Sequence, residues 1–292
     1  MLSIIICSIS LKYLEALEAN IRKTIGISHE IIAVDNREKR WPIAKVYNYG
    51  AQNAKYPYLF FVHEDVNFHS NGWGEVIVNK LAEPDCGVIG FGGSKVKLSS
   101  YSGWYQCGEC TVNYFYQNLH NGLTAFRASN TYLERSFEEV IVLDGLGLFV
   151  RKDVWKQYPF DEELLTGFHC YDIDFTLQIA HAHFKNYVCC SNQVLIEHFS
   201  MGSMDEKWFS ATICLHKKWK YLLPIKTNDV NISDKRLMRY EEKISYDFLH
   251  RILRTNCSRS DKRKVLYEFW SRPFSWKHLL HCIGCTFKYL KR

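Results

Sequence analysis

Apolar residues in this chain come as short unbroken runs, separated by stretches with helical spacing. Residues 3–10 form a β-branched run that ends in Ser8 and Ser10. Residues 11–24 then repeat apolar side chains at Leu14, Leu17 and Ile21, the spacing of one helix face. A second run, residues 30–34, ends in Asp35 and Asn36, and residues 43–54 read as a helix. The third run, Tyr58-Leu59-Phe60-Phe61-Val62, leads directly into His63-Glu64-Asp65. Runs of this kind suit strands buried on both faces of a parallel sheet. Their alternation with helices predicts crossover connections. Three successive strands end in polar residues, and ligands gather beyond the carboxyl ends of such strands. The pattern predicts one polar crevice along a sheet edge.

Further on, residues 74–81 read as a helix and residues 86–91 as a strand running into Gly92-Gly93-Ser94. Residues 95–135, rich in Tyr, Gly, Asn and Ser, predict an irregular segment with a hairpin. Strands are expected at 140–143 and 146–150 around Asp144-Gly145, and a short helix at 152–157. Residues 172–183 have helical character, and 188–197 read as one strand that delivers His198. From residue 207 the pattern is helical and increasingly basic, with no internal repeat or low-complexity linker. The expected organisation is an α/β domain over residues 1–205 and a helical, basic extension over residues 206–292.

The 292 residues suffice for a full core, and 47% hydrophobic with 15% aromatic content excludes a disordered chain. No apolar run reaches the length of an ordinary transmembrane helix. The first ten residues lack a basic n-region and a cleavage site, so a cytoplasmic protein is expected. Eleven cysteines include the pairs Cys107/Cys110 and Cys282/Cys285. Their spacing does not match a compact four-ligand zinc site, and reduced thiols are expected.

The net charge of +6 is uneven. Residues 251–292 carry eleven Lys and Arg against Asp261 and Glu268, which leaves residues 1–250 at about −3. No nucleic-acid partner is expected of such a body, and no recognised module accompanies the basic tail. Trp270, Phe274, Trp276, Leu279, Leu280, Ile283, Phe287 and Leu290 lie among Lys and Arg. That amphipathic segment suits peripheral contact with an anionic surface, at the inner face of the cell membrane. A solvated helix face and a partner-protein contact are the other readings.

Several ordered elements together resemble the family 2 inverting glycosyltransferases of GT-A fold, over about residues 2–203. Residues 3–8 are similar to the opening strand of that family. The run ending in Asp35-Asn36 resembles the strand whose terminal Asp holds the nucleotide base. Asn48-Tyr49-Gly50-Ala51-Gln52-Asn53-Ala54 is similar to the helix beside the diphosphate. His63-Glu64-Asp65 stands where the family has its metal-binding DxD motif, with His63 in place of the first Asp. Tyr171-Asp172-Ile173-Asp174 resembles the acceptor-side ED-x-D element, with Tyr171 in place of Glu. Glu197-His198-Phe199-Ser200-Met201-Gly202-Ser203 completes the series.

The resemblance implies a Rossmann-like, mostly parallel sheet flanked by helices. It implies a nucleotide-diphosphate sugar as donor, UDP-linked first, and a glycan or lipid-linked hydroxyl as acceptor in surface polysaccharide or glycan synthesis. Donor-side residues would be Ser8, Asp35, Asn36, Asn48, His63, Glu64 and Asp65. Acceptor-side residues would be Asp144, Gly145, Tyr171 and Asp174, with Asp172 as base. A diphosphate leaving group needs charge neutralisation, for which Mn²⁺ or Mg²⁺ is expected on Asp65 and His198. His63 would contact ribose or metal, and Mn²⁺ tolerates imidazole better than Mg²⁺ does.

Blander roles exist for each residue. Asp65 suits a turn, Asp35 a helix cap, and Asp172 and Asp174 a first helical turn. A sugar nucleotidyltransferase would want a Gly-rich loop after the first strand. Ile9-Ser10-Leu11-Lys12-Tyr13 contains no glycine. A degenerate nucleotide- or glycan-binding module is the rival that the His63 and Tyr171 departures favour.

Overall fold

The computed structural model describes residues 1–119, 122–129, 135–200, 202–272 and 275–290. The chain opens with β1 (Leu2–Ser8), α1 (Leu11–Thr24), β2 (His29–Asp35), α2 (Ile43–Asn53) and β3 (Tyr58–His63). Next come β4 (Val66–Phe68), α3 (Trp73–Leu81), β5 (Cys86–Gly90), β6 (Gly92–Ser94) and β7 (Val96–Lys97). The Tyr- and Asn-rich stretch supplies β8 (Thr111–Asn118) and β9 (Thr124–Ala128), which pair antiparallel. β10 (Phe137–Val140), β11 (Val142–Leu143), β12 (Gly147–Arg151) and α4 (Lys152–Gln157) precede α5 (Tyr171–His181), β13 (Lys185–Cys189) and β14 (Ile196–His198). The remainder is α6 (Glu206–Lys218), β15 (Ile225–Lys226), α7 (Asp234–Ile252), α8 (Arg259–Trp270) and α9 (Trp276–Leu290).

The main sheet has the order β10-β13-β5-β12-β3-β1-β2, with β12 and β10 running against the other strands. Alternation within its strands explains the unbroken apolar runs. Ile5, Leu59 and Phe61 face one cluster, with Tyr47 of α2 and Phe175 of α5. Ile4, Ile6, Phe60 and Val62 face the other, with Leu17 of α1 and Trp73 of α3. Helices thus cover both faces, as the alternation predicted. At Gly50, a Cβ would lie 2.3 Å from Ile5 Cγ2, so the missing side chain lets α2 sit directly on β1.

Residues 188–197 are not one strand. β13 ends at Cys189, and a 3-10 turn over Asn192–Val194 carries the chain to β14 in a second sheet. Ser191 stops the first strand: its hydroxyl accepts from Gln193 N–H at the head of the turn. The second sheet, β11-β6-β8-β14-β4, holds β4 beside β14.

α7, α8 and α9 close a third cluster with Tyr101 and with Phe209 and Ile213 of α6. Leu215 of α6 packs instead with Ile173 and Leu177 of α5, and β15 pairs with β7. The C-terminal helices are thereby knitted to the α/β body. Among the described residues, no helix is long and apolar enough to cross a membrane.

Candidate active site

β1, β2 and β3 end level, because Ser8 pairs with Asp35 and Cys7 with His63. A cleft of about 530 Å³ opens at these ends. Its walls include Ser10, Asn36, Trp41, His63, Glu64 and Asp65, with Phe168 and Lys207 from later in the chain. A larger groove of about 760 Å³ runs beside α4, lined by Lys152, Lys156, Glu162 and others. Arg151 pairs with Tyr58 at the start of β3, so Lys152 begins at the opposite sheet edge. The smaller cleft is the one that gathers chemistry.

Pairing of β14 with β4 sets His198 opposite Val66, and Phe199 N–H donates to the Asp65 carbonyl at 3.0 Å. His198 Nε2 then lies 3.6 Å from Asp65 Oδ2. Ligand atoms of His63, Asp65 and His198 all fall within 4.8 Å of one another, the one such group among the described residues. Burial, and then the neighbouring His198, lower the His63 pKa to about 4; burial also lowers that of His198. Both imidazoles are therefore neutral near pH 7, with lone pairs to offer.

Outer contacts orient the two rings. Tyr171 O–H donates to the Gly145 carbonyl at 3.0 Å, so its oxygen accepts from His63 Nε2–H at 2.9 Å. That leaves His63 Nδ1 with its lone pair. His198 Nδ1 lies 3.2 Å from Gln117 Oε1, to which it can donate, which leaves Nε2 facing Asp65.

Glu64 turns the other way. Its carboxylate accepts from the Ser8 hydroxyl at 2.7 Å and from the N–H groups of Ile9 and Ser10, both at 3.1 Å. Glu64 and Ser8 therefore lock the end of β3 to the end of β1. Asp35 is exposed and engaged by Arg37, whose hydrogen bonds lower its pKa to about 2. Asn36 closes the following loop by exchanging hydrogen bonds with the Trp41 backbone. Asn48 lies outside the cleft walls, buried against the Trp155 indole and the Phe160 backbone.

Beside Tyr171, behind the cleft walls, Asp172 Oδ2 accepts from Gly145 N–H at 2.9 Å, and Oδ1 accepts from Ile173 N–H. Part of Asp172 stays exposed, yet protein surrounds its carboxyl closely enough to raise the pKa to about 6. Burial, followed by the charge of Asp172, lifts Asp144 to about 7. Only glycine fits at residue 145: a Cβ there would come 2.2 Å from the Tyr171 hydroxyl. Asp174 points away, buried, with Lys218 Nζ at 2.8 Å and Trp219 Nε1 at 2.7 Å. It pins α5 to the end of α6.

Sequence reasoning did not single out Arg40, Trp41, Phe168 or Lys207 as cleft residues. Arg40-Trp41-Pro42 could have been noticed, since it joins a polar strand end to a helix. Phe168 and Lys207 carry no such local signal.

A mixed α/β sheet with helices on both faces and a cleft at the carboxyl ends of its strands is the fold of the GT-A glycosyltransferases. A family profile described as glycosyltransferase-like matches residues 3–218, and the chain belongs to that family. The crystal structure of GalNAc-T7 with UDP, GalNAc and Mn²⁺ is similar, with TM-score 0.51 and 10% identity over 94% of this chain. This chain spans 58% of that one. Residues 1–349 of S. aureus TarS in complex with UDP give TM-score 0.48 and 11% identity, over 85% of this chain and 72% of that one. At 10% identity the likeness to GalNAc-T7 concerns the fold alone. Among curated protein sequences, none matches this chain.

Proposed function

We propose that the cleft binds a nucleotide-diphosphate sugar, UDP-linked first, and that the sugar passes with inversion to a hydroxyl of a glycan or lipid-linked acceptor in surface polysaccharide or glycan synthesis. The observation that carries this reading is the convergence of His63, Asp65 and His198 at the level ends of β1–β3. Two neutral imidazoles and one carboxylate fit Mn²⁺ better than Mg²⁺. Asp65 and His198 would hold the ion, with His63 as a third donor oriented by Tyr171. When bound, it would offset the charge that develops on the leaving diphosphate. Arg40 and Lys207 add two protein cations to the same cleft.

Inversion needs one carboxylate to accept the acceptor's proton as its oxygen attacks from the side opposite the diphosphate. Asp172 takes that role. With a pKa raised to about 6, it is ionised at neutral pH but more basic than an ordinary Asp. Asp144, raised to about 7, is the member of the pair that keeps a proton near neutrality.

A thermal-shift series with UDP-, GDP- and CMP-sugars, each in Mn²⁺, Mg²⁺ or chelator, tests the reading. A cation-dependent rise in Tm with a UDP-sugar is expected. No rise with any nucleotide would overturn it. Slow release of UDP without acceptor would then separate turnover from binding alone.

A further inference from the structure

α9 turns its apolar face outward. Trp276, Leu279, Leu280, Ile283, Phe287 and Leu290 recur at helical spacing and share one face. Their neighbours His278, Cys282 and Cys285 lie on the opposite face and are buried against α7 and α8. Trp276 is 77% exposed, Leu280 60%, Phe287 61% and Leu290 65%. Trp270, itself 44% exposed, donates from its indole to Thr286 Oγ1 at 3.0 Å and extends the surface beside the stripe. Apolar patches this continuous mark interaction surfaces.

The charges around it are mostly positive, with Glu242, which accepts from the Ser275 hydroxyl, an acid at the start of α9. Lys277 and Lys288 flank the stripe, while Arg259 sits over the Tyr289 ring at 5.6 Å on the side of α9 that packs inward. Burial lowers the His250 pKa, and Lys288, Arg254 and Arg251 nearby add to that effect against the opposing charge of Asp247. Residues 251–292 hold eleven Lys and Arg against two acids.

We propose that α9 lies flat in the headgroup layer of an anionic bilayer, with the Trp276-to-Leu290 stripe at the acyl boundary and the flanking Lys and Arg on anionic headgroups. A second copy fits this face poorly: two stripes in contact would bring Lys277, Lys288 and both basic tails together. α6 joins the two regions, because Lys207 lines the cleft while Phe209 and Ile213 pack in the cluster that seats α9. Membrane contact stands independently of the activity proposed for the cleft. The corollary, that the acceptor is lipid-linked, rests on that activity.

Co-sedimentation of the full chain with vesicles tests the proposal. Vesicles of phosphatidylcholine with about one-third phosphatidylglycerol should bind at least ~10-fold more tightly than phosphatidylcholine alone, and less tightly in high salt. Leu280→Asp with Phe287→Asp, on the outward face, should weaken binding by about tenfold or more while leaving circular dichroism and Tm unchanged. Lys277→Glu with Lys288→Glu should remove most of the preference for anionic vesicles. If the wild type fails to sediment with anionic vesicles, the proposal is wrong. It also fails if light scattering shows a dimer that the Asp variant dissociates while vesicle binding persists. UDP-sugar thermal shifts on the same samples report the cleft separately.

Discussion

Two polar clusters lie near the two ends of α6, and they are satisfied in opposite ways. At its carboxyl end, Lys97 Nζ donates to Ser102 O at 2.8 Å, Ser102 Oγ at 2.7 Å and His216 Nε2 at 2.9 Å. Beside it, Glu241 accepts from the N–H groups of Ser99 and Ser100, both at 2.7 Å, from their hydroxyls, and from Arg272. Near its amino end, the Asp65 carboxylate has only the neutral His198 imidazole, at 3.6 Å, as an ion-pair candidate among the described residues. Both clusters contain a histidine whose pKa burial lowers, so burial alone does not distinguish them. What differs is saturation. A fully paired cluster holds segments together, whereas one whose lone pairs face a shared gap is ready for a ligand.

That contrast can be broken by mutation. Asp65→Ala should lower metal-dependent turnover by about 10³-fold or more and change Tm little; unchanged turnover would count against Asp65 as a ligand. Asp172→Asn should cost about 10²–10⁴ in kcat, yet keep the nucleotide-induced thermal shift. Glu241→Ala should destabilise by about 3 kcal/mol, because it leaves two serine N–H groups without their acceptor and removes the acid beside Arg272. Donor affinity of the folded protein should stay the same. If affinity falls with stability, the two clusters are not separate.

Two pH effects are smaller. Because Asp172 must be ionised to act, kcat should rise as pH passes through about 6 and then level off. Asp172→Asn should erase that limb. Lys97, with its pKa lowered to about 7, sheds its proton in the fold well before it would in the unfolded chain. The unfolded state therefore binds more protons between about pH 7 and 10, and stability should increase with pH there. Denaturation of Lys97→Met should show a flatter profile over the same window.

Much of the architecture was legible along the chain. Unbroken runs such as Tyr58-Leu59-Phe60-Phe61-Val62 announce strands covered on both faces, and their polar ends announce a crevice. The 188–197 strand misled because its apolar residues flank Ser191-Asn192-Gln193, where the chain changes sheet. Within the cleft, residue type alone did not tell direction. Glu64 and Asp65 are neighbours, yet one is tied to Ser8 and backbone while the other faces His198. Asp172 and Asp174 divide similarly, toward Gly145 and toward Lys218.

By itself the sequence determined the alternation of strand and helix, the polar strand ends and the basic, amphipathic tail, since each depends on periodicity within a few residues. Tertiary structure alone decided that His198 meets Asp65, that Asn48 faces Trp155, and that α9 buries its Cys and His side and leaves Trp276 and Phe287 outside. Such outcomes depend on pairing and packing between segments far apart in the chain, where competing burial and hydrogen bonding choose one arrangement among several that local pattern allows.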